Sequence, residues 1–151
     1  MAVIERKKPN GAPRTSRMLK PGQFGAVLSL PRERQIRCAS HWFSLVAGEF
    51  EDSVKFGLTV GKKNAPLAVQ RNLVKRILRE AYRVRASSVA NAARQANLEG
   101  LYVSLRLRRS LKEADFAGKR SLKVLLHQDA AALVDKFLAV LEEKSKRHKM
   151  S

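Results

Sequence analysis

The sequence predicts an α+β domain, an α/β sandwich with helices packed on one small sheet, and three observations predict it. Val54, Phe56, Leu58 and Val60 alternate with Lys55, Gly57 and Thr59, the period of a strand with one buried face. Leu101, Val103, Leu105 and Leu107 alternate in the same way with Tyr102, Ser104, Arg106 and Arg108. Between and after these two runs lie long segments of helical period, and helix, strands, helix, strand, helix is the order of helices layered on a sheet. A length of 151 residues favours one domain, and 44% hydrophobic residues suffices for its core.

Each element has its own signal. Residues 1–20 hold Pro9, Gly11 and Pro13 with no apolar period, so they read as a disordered basic arm. Pro21 suits a first helical turn, Phe24, Val27 and Leu28 follow at helical spacing, and Pro31 stops the helix. Residues 37–47 lack a helical stripe but are rich in aromatic and small apolar residues, which predicts a strand, with Gly48 and an acidic turn at Glu49, Glu51 and Asp52 after it. Leu67 to Arg85 is the strongest helix. Arg71, Asn72, Lys75, Arg76, Arg79 and Arg83 fall within an arc of about 140°, and Leu73, Val74, Ile77, Leu78, Ala81 and Val84 occupy the opposite arc. A polar, alanine-rich stretch then leads to the strand at Leu101. After a looser piece containing Gly118, Leu122, Leu125, Leu126, Leu133, Val134, Phe137, Leu138 and Leu141 mark a long last helix. The domain accordingly spans 21–142, and 143–151 read as a disordered basic tail.

Charge narrows the function. The formal net charge is +18; the arm carries +5 and the tail +3, so the folded part itself holds +10. Such a surplus repels itself unless a polyanion offsets it, which makes nucleic acid the leading partner. No run of residues is apolar enough to cross a membrane and the N-terminus lacks a secretory pattern, so the expected location is cytoplasmic. The single Cys38 excludes an internal disulfide and a cysteine-rich zinc site.

Intrinsic catalysis is poorly supplied. A protein nuclease needs two groups poised near neutral pH in one pocket, and the histidines are only His41, His127 and His148. Carboxylates that could hold paired magnesium ions are scarce, and no phosphate-cradling GxxxxGK[ST] loop is present, so neither a catalytic set, a metal site nor a small-molecule substrate is expected. Binding is better supplied. Lys62 and Lys63 end a strand just before the cationic helix, and Glu80 is almost the only anion available to pair with the cations from Lys62 to Arg85. Arginine forks grip phosphate oxygens in pairs, and Asn72 adds an amide that both donates and accepts. Phe24, Trp42, Phe43 and Tyr102 are candidates to stack unpaired bases, Tyr102 sharing its side of the strand with Arg106. Core packing is the competing fate of each.

The run from Phe56 to Arg83, FGLTVGKKNAPLAVQRNLVKRILREAYR, resembles the signature of the bacterial ribonuclease P protein subunit: a strand of type GLxVxKK, a short loop, and a helix reading RNxxKRxxRE. The matching positions are Gly57, Leu58, Val60, Lys62, Lys63, Arg71, Asn72, Lys75, Arg76, Arg79 and Glu80, and the element order extends the resemblance over roughly residues 17–141. It implies the ribosomal-protein-S5-domain-2-like fold, in α-β-β-β-α-β-α order with a left-handed crossover through the cationic helix. It also implies partnership with a catalytic RNA subunit that, with magnesium bound mainly by RNA, removes the 5′ leader of precursor tRNA. The chain would then be an enzyme only as the protein component of ribonuclease P. Lys62, Lys63, Arg71, Asn72, Lys75, Arg76, Arg79 and Arg83 would face RNA. Phe24, Trp42, Phe43, Tyr102 and Arg106 would line a leader cleft between the sheet and the cationic helix. Leu73 stands where the family commonly has a second arginine, and Leu28 where it often has a second aromatic. A ribosomal or general RNA-binding protein and a protein-only nuclease are the alternatives.

Overall fold

The computed structural model describes residues 17–50, 53–113 and 119–150. Its elements are β1 (Arg17–Met18), α1 (Pro21–Leu28), β2 (Gln35–Ala39), β3 (Phe43–Glu49), β4 (Val54–Thr59), α2 (Ala68–Gln95), β5 (Leu101–Leu107) and α3 (Lys119–Met150). The strands form one mixed sheet in the order β1-β4-β5-β3-β2, with β4 parallel to β5 and the β2–β3–β5 run antiparallel. The expected α+β sandwich is present, with β4, α2 and β5 as a crossover between parallel neighbours.

The pleat sorts side chains to two faces. Phe43, Leu45, Ala47, Phe56, Val103, Leu105 and Leu107 point to one side and form the main core with Val74, Ile77, Leu78 and Tyr82 of α2 and Leu126, Leu133, Val134 and Phe137 of α3. Residues of opposite parity, Val46 and Tyr102 among them, meet Val27 of α1 in a smaller second cluster. So α1 lies across the sheet from α2 and α3. The central β5 is covered on both sides, which is why even Ser104 is buried.

Several boundaries differ from the pattern reading. The strand expected over 37–47 is two strands, β2 and β3, broken at Ser40–Trp42, where Asp129 of α3 accepts hydrogen bonds from Ser40 Oγ (2.6 Å) and the Trp42 backbone N–H (2.8 Å). That partner is distant in sequence and leaves no local signal. α2 runs ten residues beyond Arg85 because Ala86, Val89, Ala92 and Ala93 make a narrow stripe of small side chains in the main core, alongside α3. It ends at Asn97, whose φ of 66° lets its N–H reach Arg94 O and that of Leu98 reach Ala93 O, a Schellman stop with asparagine in the usual glycine place. Val84, assigned by its wheel position to the apolar arc, is 79% exposed, since nothing packs at that edge of α2.

The ends differ too. Of the expected disordered arm, residues 1–16 lie outside the described residues, but Arg17–Met18 pair with β4, Leu19 N–H donates to Phe56 O (2.7 Å), and Leu19 is buried. The tail expected from residue 143 is helix through Met150, with Ser145 buried on the face that continues Leu141. The acidic turn at Glu51 and Asp52 and the piece around Gly118 fall outside the described residues.

Candidate nucleic-acid interface

Two cationic surfaces emerge, on opposite sides of the sheet. The first is the outward face of α2 and the loop before it. Asn72, Arg76 and Arg83 are exposed, Lys75 and Arg79 half-buried, and Lys62 and Lys63 exposed at the end of β4. Among the described residues none of these cations has a carboxylate partner; the ion pair α2 does make, Arg85 to Asp135 of α3 at 2.5 Å, lies on its inner edge. Arg71 behaves differently. Its Nη1 donates to Ala65 O and Pro66 O, both at 2.9 Å, so it is half-buried and ties the loop to the first turn of α2. Asn64 fixes the same loop from the other side, donating from Nδ2 to Leu107 O (3.1 Å) while its carbonyl accepts from Leu111 N–H (2.9 Å). The lysine pair therefore rides on a loop anchored to both α2 and β5.

The second surface is a trough beside α1. Leu28, Arg37, Ala39, Ser44, Val46 and Arg106 surround a groove of about 310 Å³ with α1 as its wall. Gln23 and Gln35 pin that wall at both ends. Gln23 Oε1 accepts from Lys20 N–H (2.8 Å) and its Nε2 donates to Tyr102 Oη (3.1 Å); Gln35 Nε2 donates to Val27 O (3.0 Å) and Leu28 O (3.4 Å). Between these pins the tip of the Phe24 ring lies on the backbone of Gly57, where a β-carbon would clash with Cζ and Cε1 of the ring.

This arrangement corrects the expected cleft. Among the described residues the main core fills the space between sheet and α2, and the open trough is on the α1 side. Phe43 is wholly buried in the main core because the parity of β3 turns it away from α1, and Trp42, in the break before β3, joins the same core. Tyr102 does share its side of β5 with Arg106, but it is only 6% exposed: Phe50 stacks on its ring at 4.3 Å and Lys55 Nζ sits 5.7 Å from its centroid, leaving no face for a base. Phe24 is half-buried against Gly57 of β4 and does not line the trough, whereas Arg106 is exposed on its floor. Arg37, Ser44 and Gln35 belong to the trough and were not singled out from sequence. Arg37 and Gln35 lie outside both alternating runs, and the split of 37–47 into two strands was the missing step.

The titratable candidates are dispersed. His41 is exposed, its ring edge-on to Trp42, and its carbonyl accepts from Arg109 Nε (2.6 Å). His127 is exposed on α3, and the side chain of His148 lies outside the described residues. The Cys38 thiol is pushed up by burial, against a weaker opposing pull from Lys136. Among the described residues no group of three His, Cys, Asp or Glu could hold a metal ion. No described helix is long and apolar enough to cross a membrane.

The Ribonuclease P family profile matches residues 12–130, which spans β1 through the first turns of α3 and both surfaces. The chain belongs to the ribonuclease P protein family. It is 36% identical over 126 residues to the ribonuclease P protein component of Paraburkholderia xenovorans, covering 82% of this chain and 81% of that one. It is 40% identical over 78 residues to the component of Burkholderia mallei, 52% of this chain and 54% of the other. The solved ribonuclease P protein of Staphylococcus aureus shares the fold, with a TM-score of 0.56 at 18% identity over 79% of this chain and 92% of that one. In this member of the family the signature residues divide into two kinds. Gly57, Asn64 and Arg71 build the scaffold, and Lys62, Lys63, Asn72, Lys75, Arg76, Arg79 and Arg83 stand free of acidic partners among the described residues.

Proposed function

We propose that this chain docks the outer face of α2 on the catalytic RNA of ribonuclease P and holds the 5′ leader of precursor tRNA in the α1 trough, in the cytoplasm, while the RNA performs the magnesium-dependent hydrolysis. The observation that carries the reading is the set of cations on α2 without carboxylate partners among the described residues. Unpaired guanidinium and ammonium groups on a rigid helix gain most from phosphate, and each contact releases condensed counterions. The trough supports the leader half of the proposal. A strand of RNA laid on the sheet would find arginines for its phosphates, Ser44 for a sugar or base edge, and Leu28 of the α1 wall for an unpaired base. His41 and His127 are dispersed, and among the described residues no histidine lies on either surface beside a second acid or base group.

Binding of the chain to ribonuclease P RNA across a salt series tests the docking half. Arg76→Ala and Arg83→Ala are better probes than Arg71→Ala, which also frees the Ala65 and Pro66 carbonyls. Each should flatten the slope of log affinity against log salt by about 0.7 to 0.9 per lost phosphate contact. Slopes equal to the parent's in both variants would refute docking through α2.

A further inference from the structure

We propose that Arg37 and Arg106 form a two-sided phosphate clamp in the trough, and that Gln35 is the positioning residue that aims Arg37 into it. The inference rests on the leader reading above and assigns its substrate contact to an edge strand outside the family signature. Arg37 pairs in register with Val46, and Arg106 with Ser44, on the strand between them. Their Cα atoms are therefore two strand spacings apart across the sheet and two residues apart along it, about 12 Å in all. Both side chains line the same groove, both are exposed, and neither has a carboxylate partner among the described residues. A phosphodiester midway between them is within reach of either guanidinium, and the small side chains of Ala39 and Ser44 leave that space open.

Gln35 gives Arg37 its direction. Its Oε1 accepts from Arg37 Nε at 2.8 Å, which fixes the plane of the guanidinium and leaves both terminal nitrogens unengaged by any described residue. Its Nε2 meanwhile donates to Val27 O and Leu28 O at the C-terminal end of α1. One amide thus sets both the height of the trough wall and the aim of the arginine facing it. Preorganising the fork lowers the ordering cost of each bond it makes to phosphate.

The test uses the reconstituted holoenzyme and two precursor tRNAs, one with a leader of about eight nucleotides, longer than the roughly 19 Å breadth of four strand spacings, and one cut to a single nucleotide. Arg37→Ala is expected to raise KM for the long-leader substrate about tenfold, with kcat at saturation and the KM of the short-leader substrate unchanged. Gln35→Leu should raise the long-leader KM about threefold. In the Arg37→Ala background Gln35→Leu should raise that KM no further, because the amide acts through the arginine. Equal KM changes on both substrates, or none in Arg37→Ala, would overturn the clamp; a Gln35→Leu effect undiminished in the Arg37→Ala background would overturn the positioning role. If the parent holoenzyme itself makes no distinction between the two leaders, the leader reading falls instead.

Discussion

Replacing Gly57 by alanine probes the joint on which the trough depends. The added methyl would clash with Cζ and Cε1 at the tip of the Phe24 ring, and the ring has little room to retreat. One residue before it, Gln23 is bonded to Tyr102, and three after it, Val27 is fully buried. Relief requires either an off-rotamer Phe24 or a lift of α1, and overpacking of this kind costs about 1–3 kcal/mol. For a chain of this size that lowers the melting temperature by about 3–10 °C. The assay is a double-mutant cycle with Phe24→Ala by thermal or urea melting, followed by binding of a long-leader precursor to each holoenzyme. Once the ring is gone the methyl has nothing to strike, so Gly57→Ala should cost only a few tenths of a kcal/mol in that background, giving a coupling of about 1–3 kcal/mol. Gly57→Ala alone should also weaken leader binding, because the wall moves. A variant that melts with the parent, or one equally destabilised with and without Phe24, would refute the reasoning.

Other outcomes follow from single contacts. Tyr82 Oη is buried without a hydrogen-bond partner among the described residues, its ring stacked on Phe56, so Tyr82→Phe should be neutral or stabilise by up to about 1–2 kcal/mol in urea melts. Burial pushes the Tyr82 phenol well above its ordinary range; a folded state that keeps the proton loses stability as pH climbs past about 10, where the unfolded tyrosine ionises, and that component of the alkaline loss should vanish in Tyr82→Phe. Asp129→Ala leaves Ser40 Oγ and Trp42 N–H without their acceptor and should cost about 1–3 kcal/mol by melting, whereas Asp135→Ala, which breaks a partly exposed pair with Arg85, should cost at most about 1 kcal/mol. Cys38, buried and with its thiol pushed up, should react with an aromatic disulfide reagent at neutral pH only as fast as the chain opens.

The parts of the fold legible in the sequence were those whose partner is the solvent. β4 and the second half of β5 alternate because one side of each meets the core and the other does not, and the stripe on α2 records the same contrast. What stayed hidden depended on distant contacts. Asp129 breaks the 37–47 run from 87 residues away, and the alanines after Arg85 look like a polar linker until α3 covers them. The same reason explains the site. The outward cations of α2 up to Arg83 could be found from their spacing, but alternation alone could not say which polar side of the sheet α1 would cover, so Tyr102 and Phe43 were placed in a cleft that they instead help to bury. Arg71 shows the limit of reading charge as function, since its guanidinium is spent on two loop carbonyls.

The central claim is that the protein supplies charge and a trough while RNA supplies the chemistry. Cleavage of a precursor tRNA at low magnesium, measured with the ribonuclease P RNA alone, with the purified chain alone and with both together, addresses it directly. Release of the 5′ leader should be fast only in the mixture and absent with the chain alone. Leader release by the chain without RNA, or a mixture no faster than the RNA by itself, would contradict the account.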